Sequence, residues 1–453
     1  MNDPNGCIFF EGKYHVFYQY NPYSPKWGPM HWGHAISSDL VHWEHLPIAL
    51  APSEEYDDHP EGGCFSGSAV NDHGRLTLIY TGTSNHGQGF EQRQCIATSE
   101  NGVTFHKYEG NPVISAPPPG GSADFRDPKV WRHGDFWYMV LGNSSNGLGR
   151  ALLYRSFDLY SWEYFSVLAE SRGEFGTMWE CPDVFCIKGK HVLMFSPMNV
   201  HDRKTIYLVG DLDYKTGKLN YTTIGEVDWG FDAYAPQSMV DGKGRVLLFA
   251  WANAWPWMPW FKDHGPTFKD KWCGAMTLPR TVDLGADGLL CFSPPRELKA
   301  LRTDRKNYGS IFIEEDSAFS IHAGDGISAE IDVVLDLRKS TCREFVLSVR
   351  IGNGEHTDII INIRDSSITI DRNAADGWSQ GICHATLRSV DKSTFSLRVY
   401  LDTSSVEVYT DDGKTVLSSN IYPRPESQGL VLTPHGGSLV VKRLETYGIK
   451  GIW

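Results

Sequence analysis

The chain has 453 residues, 41% of them hydrophobic, with 55 Asp and Glu against 42 Lys and Arg and a formal charge of -13 at neutral pH. Such a length allows a sizeable buried core, and the acidic balance argues against nucleic-acid or anionic-membrane partners, which reward a basic face. No apolar run approaches the ~18 residues of a membrane span, no charged-then-apolar leader opens the chain, and nine scattered cysteines fit free thiols better than a disulfide framework.

Five short runs rich in β-branched and aromatic residues recur along the first two thirds: 13–21, 75–83, 135–143, 190–199 and 245–253. Each follows a Gly-bearing turn and reads as the second strand of a hairpin. The partner strand before each turn opens on a small motif that holds Pro4, Pro128, Pro182 or Pro236, with Gly67 in the equivalent slot of the second unit; the separations are 63, 61, 54 and 54 residues. A unit this short cannot bury both of its faces alone and must stack on its neighbours. Radial stacking predicts an all-β, five-bladed β-propeller over residues 1–293. Ser293-Pro294-Pro295 then punctuates the chain, and 294–309 reads as a linker with some helical character. Beyond it, closely spaced alternating strands over 310–453 predict a C-terminal β-sandwich.

The repeat alignment singles out three acids. Asp3 precedes Pro4, Asp127 precedes Pro128, and Glu180 lies two before Pro182, so three units present a carboxylate at nearly the same point of the first strand. First strands line the channel of a propeller, and acids brought together there raise each other's protonation, an expense that chemistry can use. A single Asp before Pro more often caps a turn. Glu180 sits one residue out of step, and a local bulge or its longer side chain would have to turn it back to the common face. Two carboxylates facing one glycosidic bond are the apparatus of sugar hydrolysis, and a third can hold substrate hydroxyls. The 15 Trp, 20 Tyr and 22 Phe supply flat surfaces for sugar rings, although most belong in cores. No nucleophile elbow, Walker loop or zinc-protease motif competes. His31, His34, His42 and His45 match no metal-ligand spacing, and neither a metal nor a cofactor is expected.

The strings Asn2-Asp3-Pro4-Asn5-Gly6, Phe65-Ser66-Gly67-Ser68, Phe125-Arg126-Asp127-Pro128-Lys129 and Trp179-Glu180-Cys181-Pro182-Asp183 resemble the signature set of glycoside hydrolase family thirty-two, the invertases and fructanases. Residues 27–34 and 402–408 are similar to further landmarks of that family, so the resemblance runs the length of the chain. It implies a propeller followed by a sandwich, and within the family it points to bacterial-type sucrose hydrolases. It implies Asp3 as nucleophile, Glu180 as general acid and then base, and Asp127 as the stabiliser that binds fructose hydroxyls. It places Asn2, Gln19, Trp27, Phe65, Ser66 and Arg126 around the fructose, with Asp232, Tyr234 and Trp255 toward the leaving group. The implied reaction is retaining hydrolysis of sucrose, with raffinose and short fructo-oligosaccharides as further small carbohydrate substrates. Asp3 must then be ionised, Glu180 must hold a proton near neutral pH, and the two carboxyls should lie roughly 5 to 5.5 Å apart.

Two alternatives stay open: fructosyl transfer, exo-fructan cleavage or inverting hydrolysis on the same fold, and a catalytically silent carbohydrate-binding propeller. Members of the family carry several tens of residues ahead of the nucleophile string, so upstream sequence is expected before Met1. The dispersed cysteines favour a cytoplasmic setting, while the sequons at Asn143 and Asn220 leave secretion open.

Overall fold

The computed structural model describes residues 1–87, 89–200, 203–255, 263–388 and 393–452. Strand accounts for 56% of it and helix for 3%, so the fold is all-β. The chain divides into two compact units, Met1–Val227 with Ala233–Leu289, and Asp228–Asp232 with Leu290–Trp453. The division at 289/290 lies four residues before the expected 293/294, and a short segment at 228–232 belongs to the second unit. Little of the expected 294–309 linker is free chain: Arg296–Leu301 is a 3₁₀ turn and Arg302 already opens a strand.

Among the described residues, 4–293 form five antiparallel sheets, numbered I to V in chain order. Their first strands are Pro4–Phe10, Gly63–Asp72, Phe125–His133, Trp179–Ile187 and Tyr234–Val240. Their second strands are Lys13–Tyr20, Arg75–Asn85, Phe136–Ser145, Lys190–Pro197 and Val246–Trp251, the five hydrophobic runs of the sequence. Several of the hairpins close with two central residues at positive φ, as in Glu11-Gly12 (47° and 79°) and Lys188-Gly189 (48° and 78°), which matches the twist of the flanking strands. Each first strand touches the first strand of the next sheet, and that of sheet V touches that of sheet I, which closes a ring.

Every first strand carries a bulge at this inner level. The ladder slips between Asn5 and Ile8, Phe65 and Gly67, Arg126 and Lys129, Glu180 and Asp183, and Tyr234 and Gln237. Gly6, Asp127, Cys181 and Ala235 take positive φ there, between 47° and 66°. Pro128, Pro182 and Pro236 thus occupy one equivalent bulge, whereas Pro4 precedes its bulge. Gly67 needs to be glycine for a different reason: a Cβ would fall 2.0 Å from the Ile79 carbonyl oxygen. Between sheets III and IV, Trp179 is fully buried, stacked on Phe195 at 3.8 Å, and a Cβ on Gly142 would stand 2.1 Å from the Trp179 carbonyl.

A bulge breaks the ladder and leaves N–H groups to be satisfied elsewhere. Side chains of other sheets take them. Gln237 Oε1 accepts from Cys7 N–H at 2.6 Å, Thr81 Oγ1 from Asp127 N–H at 3.0 Å, Asp127 Oδ2 from Cys181 N–H at 2.9 Å, and Ser196 Oγ from Ala235 N–H at 2.9 Å.

Among its described residues the second unit forms two six-stranded antiparallel sheets that share one apolar core, including Ile331, Val333, Phe345, Leu347, Ile359 and Val399. Burial alternates residue by residue in strands such as Ser367–Asp371, as strands with one face on a core require. Arg350, also buried, donates to the carbonyls of Ser427, Asp402 and Thr403, which fixes the turn of the 402–408 landmark.

Gln237 also donates from Nε2 to the Gly67 carbonyl at 2.8 Å. Gln237→Leu leaves both backbone groups buried without partners, at about 1–3 kcal/mol each. The expected result is a urea unfolding midpoint clearly below wild type; an unchanged midpoint would show that these two bonds do not hold the ring.

Candidate active site

Asp3, just ahead of the first strand of sheet I, Asp127 on that of sheet III and Glu180 on that of sheet IV all line one cavity of about 480 Å³. Asp3 and Asp127 are buried and Glu180 is nearly so. Asp3 Oδ2 accepts from Ser66 Oγ at 3.0 Å, while Asp3 Oδ1 is buried and has no hydrogen-bond partner among the described residues. The Cys181 thiol stands 3.6 Å from both Asp3 Oδ2 and Asp127 Oδ2 and ties the two aspartates together. Glu180 is gripped on both oxygens: Arg126 Nη2 donates to Oε1 at 2.9 Å and Tyr234 Oη donates to Oε2 at 2.5 Å. Arg126 also donates to Asp124 at 2.5 Å and to Gln92 at 3.3 Å.

The bulges explain this convergence. With φ at 66°, Asp127 has a backbone that non-glycine residues rarely adopt, and the turn re-aims its carboxylate toward Cys181 N–H. The slip between Glu180 and Asp183 supplies the local bulge that a one-residue offset demanded. Asp3 reaches the same cavity from outside its bulge, three residues ahead of Gly6.

Burial, followed by the charges of Asp127 and Glu180, pushes the Asp3 carboxyl up to about 7, against the opposing pull of the Ser66 hydroxyl and the neighbouring Asn2 amide. Burial pushes Asp127 up to about 6, the Arg126 cation pulls it down, and Glu180 pushes it up. Burial works against the Arg126 cation, yet Glu180, Asp127 and Asp124 outweigh it and hold the guanidinium charged, above its ordinary range. Two aspartates that titrate near neutrality beside a third carboxylate form a coupled set able to hold or yield a proton at working pH.

Asn2, Gln19, Trp27, Phe65, Ser66, Arg126 and Trp255 line the cavity beside the three acids. Gln19 Nε2 is bonded to the Cys64 carbonyl at 2.9 Å, and its backbone is bonded to Asn2 and Asp3. Trp27 packs edge-on to Phe65 with centroids 6.1 Å apart, and Trp255 edge-on to Trp251 at 5.1 Å. Tyr234 is buried behind Glu180 and does not line the cavity. Asp232 is a correction: its carboxylate belongs to the second unit, where it accepts from Arg372 Nη1 at 3.1 Å and Asn420 N–H at 2.7 Å, a buried structural pair. Met30, Glu61, Thr83, Phe90, Gln92 and Asp124 also line the cavity and were not foreseen. Thr83 and Gln92 face each other across sheet II, a register that no local motif discloses. Among the described residues no group of His, Cys, Asp and Glu suits a metal ion. Buried His34 shares a hydrogen bond of 3.0 Å with His15 and stacks on Phe17 at 4.0 Å.

Residues 1–294 match the family described as glycosyl hydrolases family 32 N-terminal domain, and residues 297–448 match glycosyl hydrolases family 32 C terminal. A sucrose-6-phosphate hydrolase of Zymomonas mobilis subsp. mobilis is 38% identical over 457 residues, covering 94% of this chain and 85% of that protein. A raffinose invertase of Escherichia coli is 37% identical over 456 residues, covering 97% and 91%. The solved GH32 β-fructofuranosidase of Bombyx mori superposes with a TM-score of 0.83 at 36% identity, covering all of this chain and 92% of that one. A carboxylate-lined cavity of this kind, with these relatives, defines a glycoside hydrolase. The chain belongs to glycoside hydrolase family 32.

Because the folded value for Asp3 is raised, its contribution to stability is intact below about pH 4 and is lost as pH rises through about 7. Asp3→Asn keeps an acceptor for Ser66 and removes the buried charge. Thermal unfolding of the variant should match wild type near pH 4 and exceed it at pH 8, by up to about 4 kcal/mol. A gap that is constant with pH would remove the assigned burial of charge.

Proposed function

We propose that the protein is a retaining β-fructofuranosidase that hydrolyses sucrose, built as a five-bladed β-propeller followed by a β-sandwich. Asp3 carries this reading: it lines the cavity, and its Oδ1 has no hydrogen-bond partner among the described residues. An acceptor oxygen that no described protein group engages keeps its lone pairs free for an electrophilic carbon. The names of the relatives agree, since they act on sucrose 6-phosphate and raffinose, and a mutant of the Bombyx mori enzyme was solved in complex with sucrose.

In this reading the fructosyl unit lies on Asp3 and Asp127, with its hydroxyls donating to Asp127. Those bonds replace lost solvent and favour the ionised form of Asp127. Asp3 attacks the anomeric carbon, Glu180 passes its proton to the glycosidic oxygen, and glucose leaves from a covalent fructosyl-enzyme. Glu180 then takes a proton from water, whose oxygen displaces Asp3 and releases fructose with retained configuration. Arg126 and Tyr234 fix both oxygens of Glu180, so its orientation is set before substrate arrives.

Asp3→Ala should lower fructose release from sucrose by about 10³-fold or more while unfolding cooperatively; near-wild-type turnover would sink the assignment. Glu180→Gln should lose about 10²- to 10⁴-fold on sucrose and keep most activity on a fructosyl donor whose leaving group needs no protonation. Equal loss on both donors removes Glu180 from the acid role.

A further inference from the structure

We propose that the outer part of the cavity selects an uncharged leaving sugar and disfavours one that bears a phosphomonoester, with Glu61 and Asp124 setting that preference. The inference rests on the reading of the cavity as a sucrose site. If the scissile bond meets the buried Asp3, Asp127 and Glu180, the leaving sugar lies toward the mouth. There the charged side chains are Glu61, which is exposed, and Asp124, whose side chain is 48% exposed.

Among the described lining residues Arg126 is the single cation, against five carboxylates. Its guanidinium is already committed to Asp124 and Glu180, and only 9% of its side chain is exposed. A phosphomonoester carries about -1.5 to -2 charges near pH 7 and is recognised by Lys or Arg forks or by helix N-termini. The mouth offers like charge instead. The backbone that carries Glu61 is pinned at the rim: Asp57, fully buried, accepts from Ser53 N–H, Glu54 N–H, Tyr80 Oη and Lys107 Nζ at 2.6 to 3.0 Å. Gly62, the next residue, is bonded through its carbonyl to Met30 N–H at 2.9 Å. The aromatic faces of Phe90 and Trp255 suit a neutral pyranose. The Zymomonas relative is named for a phosphorylated substrate, whereas this cavity is charged against one.

The test is steady-state hydrolysis of sucrose and of sucrose 6-phosphate by the full chain at pH 7 and low ionic strength. The expected kcat/KM favours sucrose by at least about tenfold, mainly through KM, and added NaCl narrows the gap by screening. Glu61→Lys should narrow the ratio at least about threefold further. Glucose 6-phosphate should inhibit no better than glucose, a readout that needs no turnover. Equal or better use of sucrose 6-phosphate by the wild type, with sucrose still hydrolysed, overturns this inference alone. A wild-type preference that neither salt nor Glu61→Lys changes overturns the role given to the mouth carboxylates. Fructose release from neither sugar overturns the proposed function, and this inference with it.

Discussion

The interaction on which the first unit depends is the capture of bulge N–H groups by side chains of other sheets. Five buried first strands meet in a ring, and each must break its ladder at the inner level to let side chains point along the ring axis. A buried N–H left without a partner costs about 1–3 kcal/mol, so four or five such groups in one place would rival the stability of a domain. Gln237, Thr81, Asp127 and Ser196 each supply an acceptor, and each bond joins two sheets. The bulges therefore aim the functional groups and fasten the ring in the same step.

That economy places a catalytic candidate inside the scaffold. Asp127 Oδ2 accepts from Cys181 N–H, next to Glu180, so the carboxylate of sheet III also sets the backbone that carries the acid of sheet IV. The cost is electrostatic. Burial lifts both Asp3 and Asp127 toward neutrality, and the Arg126 cation offsets it for Asp127. A chain that holds charge in this way keeps some stability in reserve elsewhere, and the bulk of both units supplies it through ordinary apolar packing, such as Trp179 on Phe195 and the shared core of the second unit.

Much of this was legible in the chain because its signals are local. Hydrophobic runs behind Gly turns placed all five second strands, and the small motifs holding a proline, or Gly67 in the second unit, placed the first strands. The equivalence drawn from proline held for sheets III to V and failed for sheet I, where Pro4 lies ahead of the bulge. Asp3 thus converges with the other acids from a different position, which only the closed ring brings about. Asp232 sits two residues before Tyr234, yet it belongs to the second unit and pairs with Arg372, a partner 140 residues away. Gln92, Thr83 and Glu61 carry no motif, and their place at the cavity follows from sheet register and from a loop pinned by Asp57.

The same wiring implies that the site is sensitive well beyond its lining. Thr81 Oγ1 accepts from Asp127 N–H and donates to Gln94 Oε1 at 2.9 Å, and Gln94 Nε2 donates to the Phe125 carbonyl at 2.8 Å, two residues ahead of Asp127. Thr81 and Gln94 are fully buried and neither lines the cavity, but together they hold both ends of the turn that carries the carboxylate. A positive-φ aspartate is a strained conformer that persists only while its surroundings over-determine it. Loosening either bond would let that turn relax toward ordinary φ and rotate Asp127 away from Cys181, so the position of one acid depends on hydroxyl and amide groups of sheet II that touch no substrate.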